Sequence, residues 1–172
     1  ADGFRFDGAN IGNDARAGKD VAATDINGDG FEGIVISATS AAKNSGYGYG
    51  EIFVIFGKAS GFSNVVTPDS LDGADGFRIR GPADIAELGR DLPGFGDVHG
   101  DGVDDLALRG RYTIANTNSN AGVVVFGQSG GFNRLLDLRA LNGADGQRID
   151  LNVGDSSASG IDITGDINGD GI

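Results

Sequence analysis

Apolar residues along this chain fall in short runs, each stopped by Gly, Asn, Asp or Ser. Val21-Ala22-Ala23 leads into an Asp-rich stretch, and Ile34-Val35-Ile36 leaves it. Glu51 to Phe56 is a β-branched and aromatic run ending at Gly57, and Phe77-Arg78-Ile79-Arg80 alternates apolar with charged positions. Such runs read as strands. They predict strands A (around 20–25), B (33–38), C (51–57) and D (76–80), and a second set near 91–96, 105–109, 122–127 and 147–151. No stretch of helical length keeps a capped 3.6-residue period, and Leu135 to Leu141 is predicted as one turn or a short helix. The fold class is all-β.

The pattern repeats. Ala1-Asp2-Gly3-Phe4-Arg5-Phe6 returns as Ala74-Asp75-Gly76-Phe77-Arg78-Ile79 and as Ala144-Asp145-Gly146-Gln147-Arg148-Ile149. Ile52-Phe53-Val54-Ile55-Phe56-Gly57 returns as Gly122-Val123-Val124-Val125-Phe126-Gly127. Asp25-Ile26-Asn27-Gly28-Asp29-Gly30 returns as Asp97-Val98-His99-Gly100-Asp101-Gly102 and as Asp166-Ile167-Asn168-Gly169-Asp170-Gly171. The intervals, 69 to 73 residues, define a repeat present twice in full with a fragment at each end. Four short strands per repeat is the arithmetic of a β-propeller blade. We therefore expect antiparallel four-stranded sheets in the order A-B-C-D. Residues 1–8 would be the last strand of a preceding blade, 17–81 and 88–151 two blades, and 159–172 the start of a third, all within one propeller domain of a longer polypeptide.

Composition narrows the partners. Glycine supplies 32 of 172 residues, as many tight turns require, while 39% hydrophobic content with 10 Phe is enough for a packed core. A formal charge of −12 repels nucleic acid and anionic lipid and attracts cations. There is no Cys, so neither a disulfide nor a thiolate metal site can form. No apolar run approaches the ~18 residues that span a bilayer.

The Asp-rich loops are the strongest chemical signal. Side chains at positions 1, 3 and 5, a Gly at 6 and a carbonyl at 7 wrap oxygens round a hard cation. In the first loop these are Asp25, Asn27, Asp29, Gly30 and the Phe31 carbonyl, with Gly33 at position 9. In the second they are Asp97, His99, Asp101, Gly102 and the Val103 carbonyl, with Asp105 at position 9. The third offers Asp166, Asn168 and Asp170. An EF-hand would need Glu at position 12, where this chain has Ile36 and Leu108, so the loops are expected inside β-hairpins instead. The cofactor expected is Ca²⁺. The plainer alternative is that Asp-Gly and Asn-Gly merely make hairpin turns.

Asp-x-Asn-x-Asp-Gly-x-x-Asp, preceded by Gly-x-x-Val and followed by a β hydrophobic run, resembles the FG-GAP repeat of integrin α-subunit β-propellers and their bacterial relatives. The resemblance runs over essentially the whole chain. The family's leading Phe-Gly corresponds to Ala17-Gly18, Leu88-Gly89 and Ser159-Gly160, with only the glycine kept. Gly33, beside Glu32, stands where the family has Asp, and His99 where it has Asp or Asn. The resemblance implies calcium held as a structural clip, away from a ligand-binding face.

Apparent catalytic motifs do not hold together. Gly127-Gln128-Ser129-Gly130-Gly131 matches a nucleophile elbow in letters, yet the equivalent Gly57-Lys58-Ala59-Ser60-Gly61 reads as the same turn. His99 is the only histidine and belongs to a loop. We expect no enzyme. The loops opposite the Asp-rich turns, 39–50 and 111–121 with 8–19, 81–91 and 152–160, carry Tyr47, Tyr49, Arg111 and Tyr112, which suit a protein or glycan ligand. The expected function is adhesion or protein–protein recognition by an extracellular or cell-surface protein, bacterial by its resemblance. The alternatives are a carbohydrate-binding propeller, or the accessory propeller of a polysaccharide- or lipid-degrading enzyme.

Overall fold

The computed structural model describes residues 3–9, 11–12, 14–41, 48–59, 61–82, 85–114 and 117–151. They form an all-β structure of three sheets: a two-stranded parallel pair, a five-stranded sheet with one parallel edge strand, and a four-stranded antiparallel sheet. The two larger ones share one path of four antiparallel strands. The first contains β2 (Ala17–Thr24), β3 (Gly33–Ala38), β4 (Glu51–Ile55) and, after an excursion, β6 (Gly76–Arg80). Each pairs antiparallel with the one before it in this order. The second sheet repeats the path with β7 (Ile85–Gly96), β8 (Asp105–Ile114), β9 (Thr117–Val125) and β11 (Gly146–Leu151). Neither sheet closes on itself among the described residues.

The register explains the sequence. On one face of the first sheet Val35, Val54 and Phe77 lie side by side across three strands, with Ile52 beside Ile79. All five pack into a cluster with Leu88, Leu106, Leu108, Val123 and Val125 of the second sheet. The other face carries Ile36, Phe53 and Ile55, which pack with Val66, Leu71, Phe4 and Phe6. Strands buried on both faces read as continuous apolar runs and not as alternation. Glu51 breaks the run: it is buried, and its oxygens accept from Arg78 Nη2 at 2.7 Å and Arg80 Nε at 3.0 Å.

Between the third and fourth strands of each sheet the chain makes a detour that the sequence did not announce. After β4 it runs out to place β5 (Val65–Val66) parallel to β1 (Arg5–Phe6), with Phe62 stacked on Phe4 at 4.7 Å. Seventy residues on, β10 (Leu135–Asp137) lies parallel to β6, with Phe132 stacked on Phe77 at 4.0 Å. A one-turn 3₁₀ helix follows each, Pro68–Ser70 and Leu138–Ala140. The first is closed by reciprocal bonds between Thr67 and Ser70. Leu135 to Leu141 is thus half strand and half turn.

Two expected loops are strands. β7 begins at Ile85, inside the predicted 81–91 loop, and β8 and β9 continue to Ile114 and from Thr117, across the predicted 111–121 loop. Their polar residues satisfy backbone groups through cross-strand pairing, which an apolar pattern does not reveal. No helix among the described residues is long and apolar enough to cross a membrane. The expected third unit, 159–172, lies outside the described residues.

Candidate metal centre

The Asp-rich stretches are the hairpin loops between β2 and β3 and between β7 and β8. Gly28, Gly30, Gly100 and Gly102 take φ of 66°, 86°, 81° and 85°, a left-handed conformation that glycine adopts without cost from a Cβ. These turns aim backbone N–H groups at the first aspartate. Asp25 accepts from Asp29 N at 3.1 Å and Gly30 N at 2.8 Å, and Asp29 accepts from Phe31 N at 2.8 Å. Asn27 Nδ2 donates to Asp29 Oδ2 at 2.7 Å. In the second loop Asp97 accepts from Gly100 N, Asp101 N and Gly102 N at 2.7, 3.1 and 2.7 Å, and Asp101 accepts from Val103 N at 2.9 Å.

Asp105 sets the second loop apart. It is fully buried, with Oδ1 accepting from Gly127 N at 2.8 Å and Oδ2 from Val98 N at 2.8 Å. His99 Nδ1 lies 3.0 Å from the same Oδ2, and Nε2 lies 3.2 Å from Asp101 Oδ2. The imidazole also stacks on Phe126 at 4.6 Å. Gly127 has to be glycine here, because a Cβ would come within 2.2 Å of the Asp104 carbonyl. The hydrogen bond to Asp105, and then the charges of Asp105, Asp101 and Asp97, raise the His99 pKa above its ordinary 6.5 against the opposing pull of burial. At Asp97 burial works upward, but the N–H groups of Gly102, Gly100 and Asp101 outweigh it and hold the carboxylate below 3.8.

Asp97, His99 and Asp105 each place a ligand atom within 4.8 Å of the others, and this group could hold a metal ion. The donor chemistry is two carboxylates and an imidazole, with Asp101 touching the same ring. The first loop presents only oxygen donors from Asp25, Asn27 and Asp29, since Gly33 brings no side chain. A Cβ at Gly33 would lie 2.5 Å from the Ile55 carbonyl, so the position that corresponds to Asp105 has no room for a side chain in the first loop.

Asp104, beside Asp105 in sequence, turns the other way. Its Oδ2 accepts from Thr24 Oγ1 at 3.1 Å and from Asp25 N at 3.3 Å, and Gln128 N donates to the Ile26 carbonyl at 3.1 Å. The two loops are thus stitched to each other, and sequence reasoning missed this link. Its only signal was the alternation of side-chain direction on entry to a strand.

The other expected site residues sit apart from the loops. Tyr49 precedes β4, whose first residue pairs with the last of β3, so it lies at the far end of the sheet. Its carbonyl accepts from Leu88 N at 3.1 Å. Arg111 lies on β8 and not in a loop, half-buried, with Nε 3.8 Å from Glu87. Tyr112 is on the same strand. Tyr47, Asp166, Asn168 and Asp170 lie outside the described residues. The Ser129 elbow is a turn after β9. Compared with models of known protein families the chain matches none, and no curated protein matches it in sequence.

Proposed function

We propose that this chain is a segment of a calcium-stabilised β-propeller of the FG-GAP kind, a non-enzymatic recognition module working outside the cell or at its surface. Each run of four antiparallel strands, β2-β3-β4-β6 and β7-β8-β9-β11, is one blade on this reading. The observation that carries it is the recurrence of one Asp-rich turn on two sheets that share one path of four antiparallel strands, with Asp97, His99 and Asp105 converging in the second. A carboxylate oxygen that accepts one N–H keeps a lone pair for a cation. Asp25, Asn27, Asp29 and the Phe31 carbonyl would hold the ion in the first loop. Asp97, Asp101, Asp105 and the Val103 carbonyl would hold it in the second, once His99 either turns aside or ligates.

The ion's contribution is folding energy. Seven acidic residues crowd the two described loops and their exits, Asp25, Asp29, Glu32, Asp97, Asp101, Asp104 and Asp105, and a divalent cation offsets their repulsion. The recognition surface would be at the far end of the sheets, near Tyr49 and Arg111, and its partner a protein or glycan. Thermal melting in chelator and in millimolar calcium tests the reading. A module with Kd near 10⁻⁴ to 10⁻³ M gains about 0.4 to 1.4 kcal/mol per site in millimolar calcium, roughly 1 to 5 °C. Magnesium should substitute poorly, because it resists dehydration. Superimposed melting curves would reduce the loops to plain turns.

A further inference from the structure

The two Asp-rich turns share a path and differ in their donors. At the third position the first has Asn27, whose amide is tied to Asp29, and the second has the imidazole of His99. At the ninth the first has Gly33, with no room for a side chain, and the second has the buried carboxylate of Asp105. The first turn is therefore all oxygen, while the second adds a nitrogen to its carboxylates. Calcium takes about six to eight oxygen ligands. Imidazole suits zinc, copper, iron and nickel instead. By its donors the second turn is a poorer match to calcium than the first.

The ring is set to offer one nitrogen inward. Its Nε2 lies 3.2 Å from Asp101 Oδ2, and a ring that donates N–H there turns the bare Nδ1 lone pair towards Asp105 Oδ2, 3.0 Å away. Metal-bound histidines are oriented in this way, the far nitrogen donating to a carboxylate. Two lone pairs facing each other across 3.0 Å repel unless a cation joins them. Among the described residues Asp105 Oδ2 accepts from Val98 N and Asp97 Oδ2 from Gly102 N, which leaves each oxygen a lone pair for a metal. The stack on Phe126 holds the ring in place, and its partial exposure gives an ion a way in.

We infer that the second loop is a site for a divalent transition metal of the zinc class, held by Asp97, His99 Nδ1 and Asp105, with Asp101 orienting the ring. This rests on the proposed reading of the Asp-rich turns as cation sites and changes the ion of one of them. The first loop keeps calcium, and calcium enters the second only when His99 turns aside. The metal's place is structural: through Asp105, which also takes Gly127 N, it ties the turn to the chain leaving β9.

Calorimetric titration of the untagged, chelator-stripped full chain with Zn²⁺ and with Ca²⁺ tests it. The expected result is Zn²⁺ binding that survives millimolar calcium and that shifts the imidazole resonances of His99, the only histidine. Asp101→Ala, which removes the orienting carboxylate, should weaken Zn²⁺ about 10–100-fold, and His99→Asn, which installs the residue of the first loop, should weaken it further. Asp29→Ala in the first loop should leave Zn²⁺ binding unchanged. Zn²⁺ binding indifferent to His99→Asn would overturn the inference. So would displacement of Zn²⁺ by millimolar calcium, or imidazole resonances that do not move with Zn²⁺, and both of these are read on the unaltered chain. Calcium bound by both loops with no such Zn²⁺ site would overturn the inference and leave the calcium reading standing. The Zn²⁺ site as described, with no calcium bound at the first loop, would support the inference and overturn that reading.

Discussion

Asp105→Ala is the sharpest single perturbation of the second loop. The carboxylate is 0% exposed and takes Gly127 N, Val98 N and His99 Nδ1. Truncation leaves two backbone donors short of an acceptor, at about 1–3 kcal/mol each where water cannot reach them. It also removes the charge facing the His99 ring, and losing one partner of a buried pair costs about 3–5 kcal/mol. Because His99 is partly exposed and the loop can relax, the lower part of that range, about 3 kcal/mol, is the expected loss. Against a net stability of roughly 5–15 kcal/mol this leaves a folded but weakened protein. Urea denaturation in chelator isolates the hydrogen-bond term. Repeating it in millimolar calcium tests the proposed ion: if calcium binds this loop through Asp105, the stabilisation it adds should shrink in the variant. Asp104→Ala is the control: its part-buried bonds to Thr24 and Asp25 are worth about 0.5–1.5 kcal/mol each. An Asp105→Ala loss below about 1 kcal/mol, or one smaller than that of Asp104→Ala, would refute the view that Asp105 anchors the hairpin.

His99 is the only histidine, so its imidazole signal in proton NMR is unambiguous; in chelator its midpoint should lie above 6.5 and fall when Asp105 is changed to Asn. Since the folded value is raised, the stability His99 contributes is fully present below pH 6.5 and fades as pH climbs through the folded midpoint, which chelator-treated protein should show in urea titrations at stepped pH. Glu51→Ala should destabilise by about 3–5 kcal/mol, because it strands the half-buried Arg78 beside Phe53, and Glu51→Gln should cost less; equal losses would show that the pairing charge is irrelevant.

The strands were legible where burial leaves a mark on composition. Ile34-Val35-Ile36 and Ile52 to Phe56 are apolar throughout because both faces of the first sheet are covered, and the β2–β3 hairpin was marked by Asn27-Gly28 and Asp29-Gly30. The polar run from Thr113 to Asn120 gave no such mark, and its strands exist through backbone pairing of β8 with β9. β5 and β10 are two and three residues long, too short for any periodicity. Their one trace was Gly-Phe at 61–62 and at 131–132, a recurrence whose purpose becomes visible only once Phe62 and Phe132 are seen stacked on Phe4 and Phe77.

The loops show the same limit at finer scale. Position counting placed Asp97, His99 and Asp105 in one loop, and the turn brings a ligand atom of each within 4.8 Å of the others. It could not divide the work between Asp104 and Asp105. Successive residues entering a strand point to opposite sides, so one carboxylate must turn into its own loop and the other away from it. What lies on the far side is the first loop, 79 residues earlier, where Asp104 takes the N–H of Asp25. The residue that opens the first loop is therefore held by a carboxylate of the second. The geometry of one turn depends on the fold of the other, and no local reading of either stretch contains that fact.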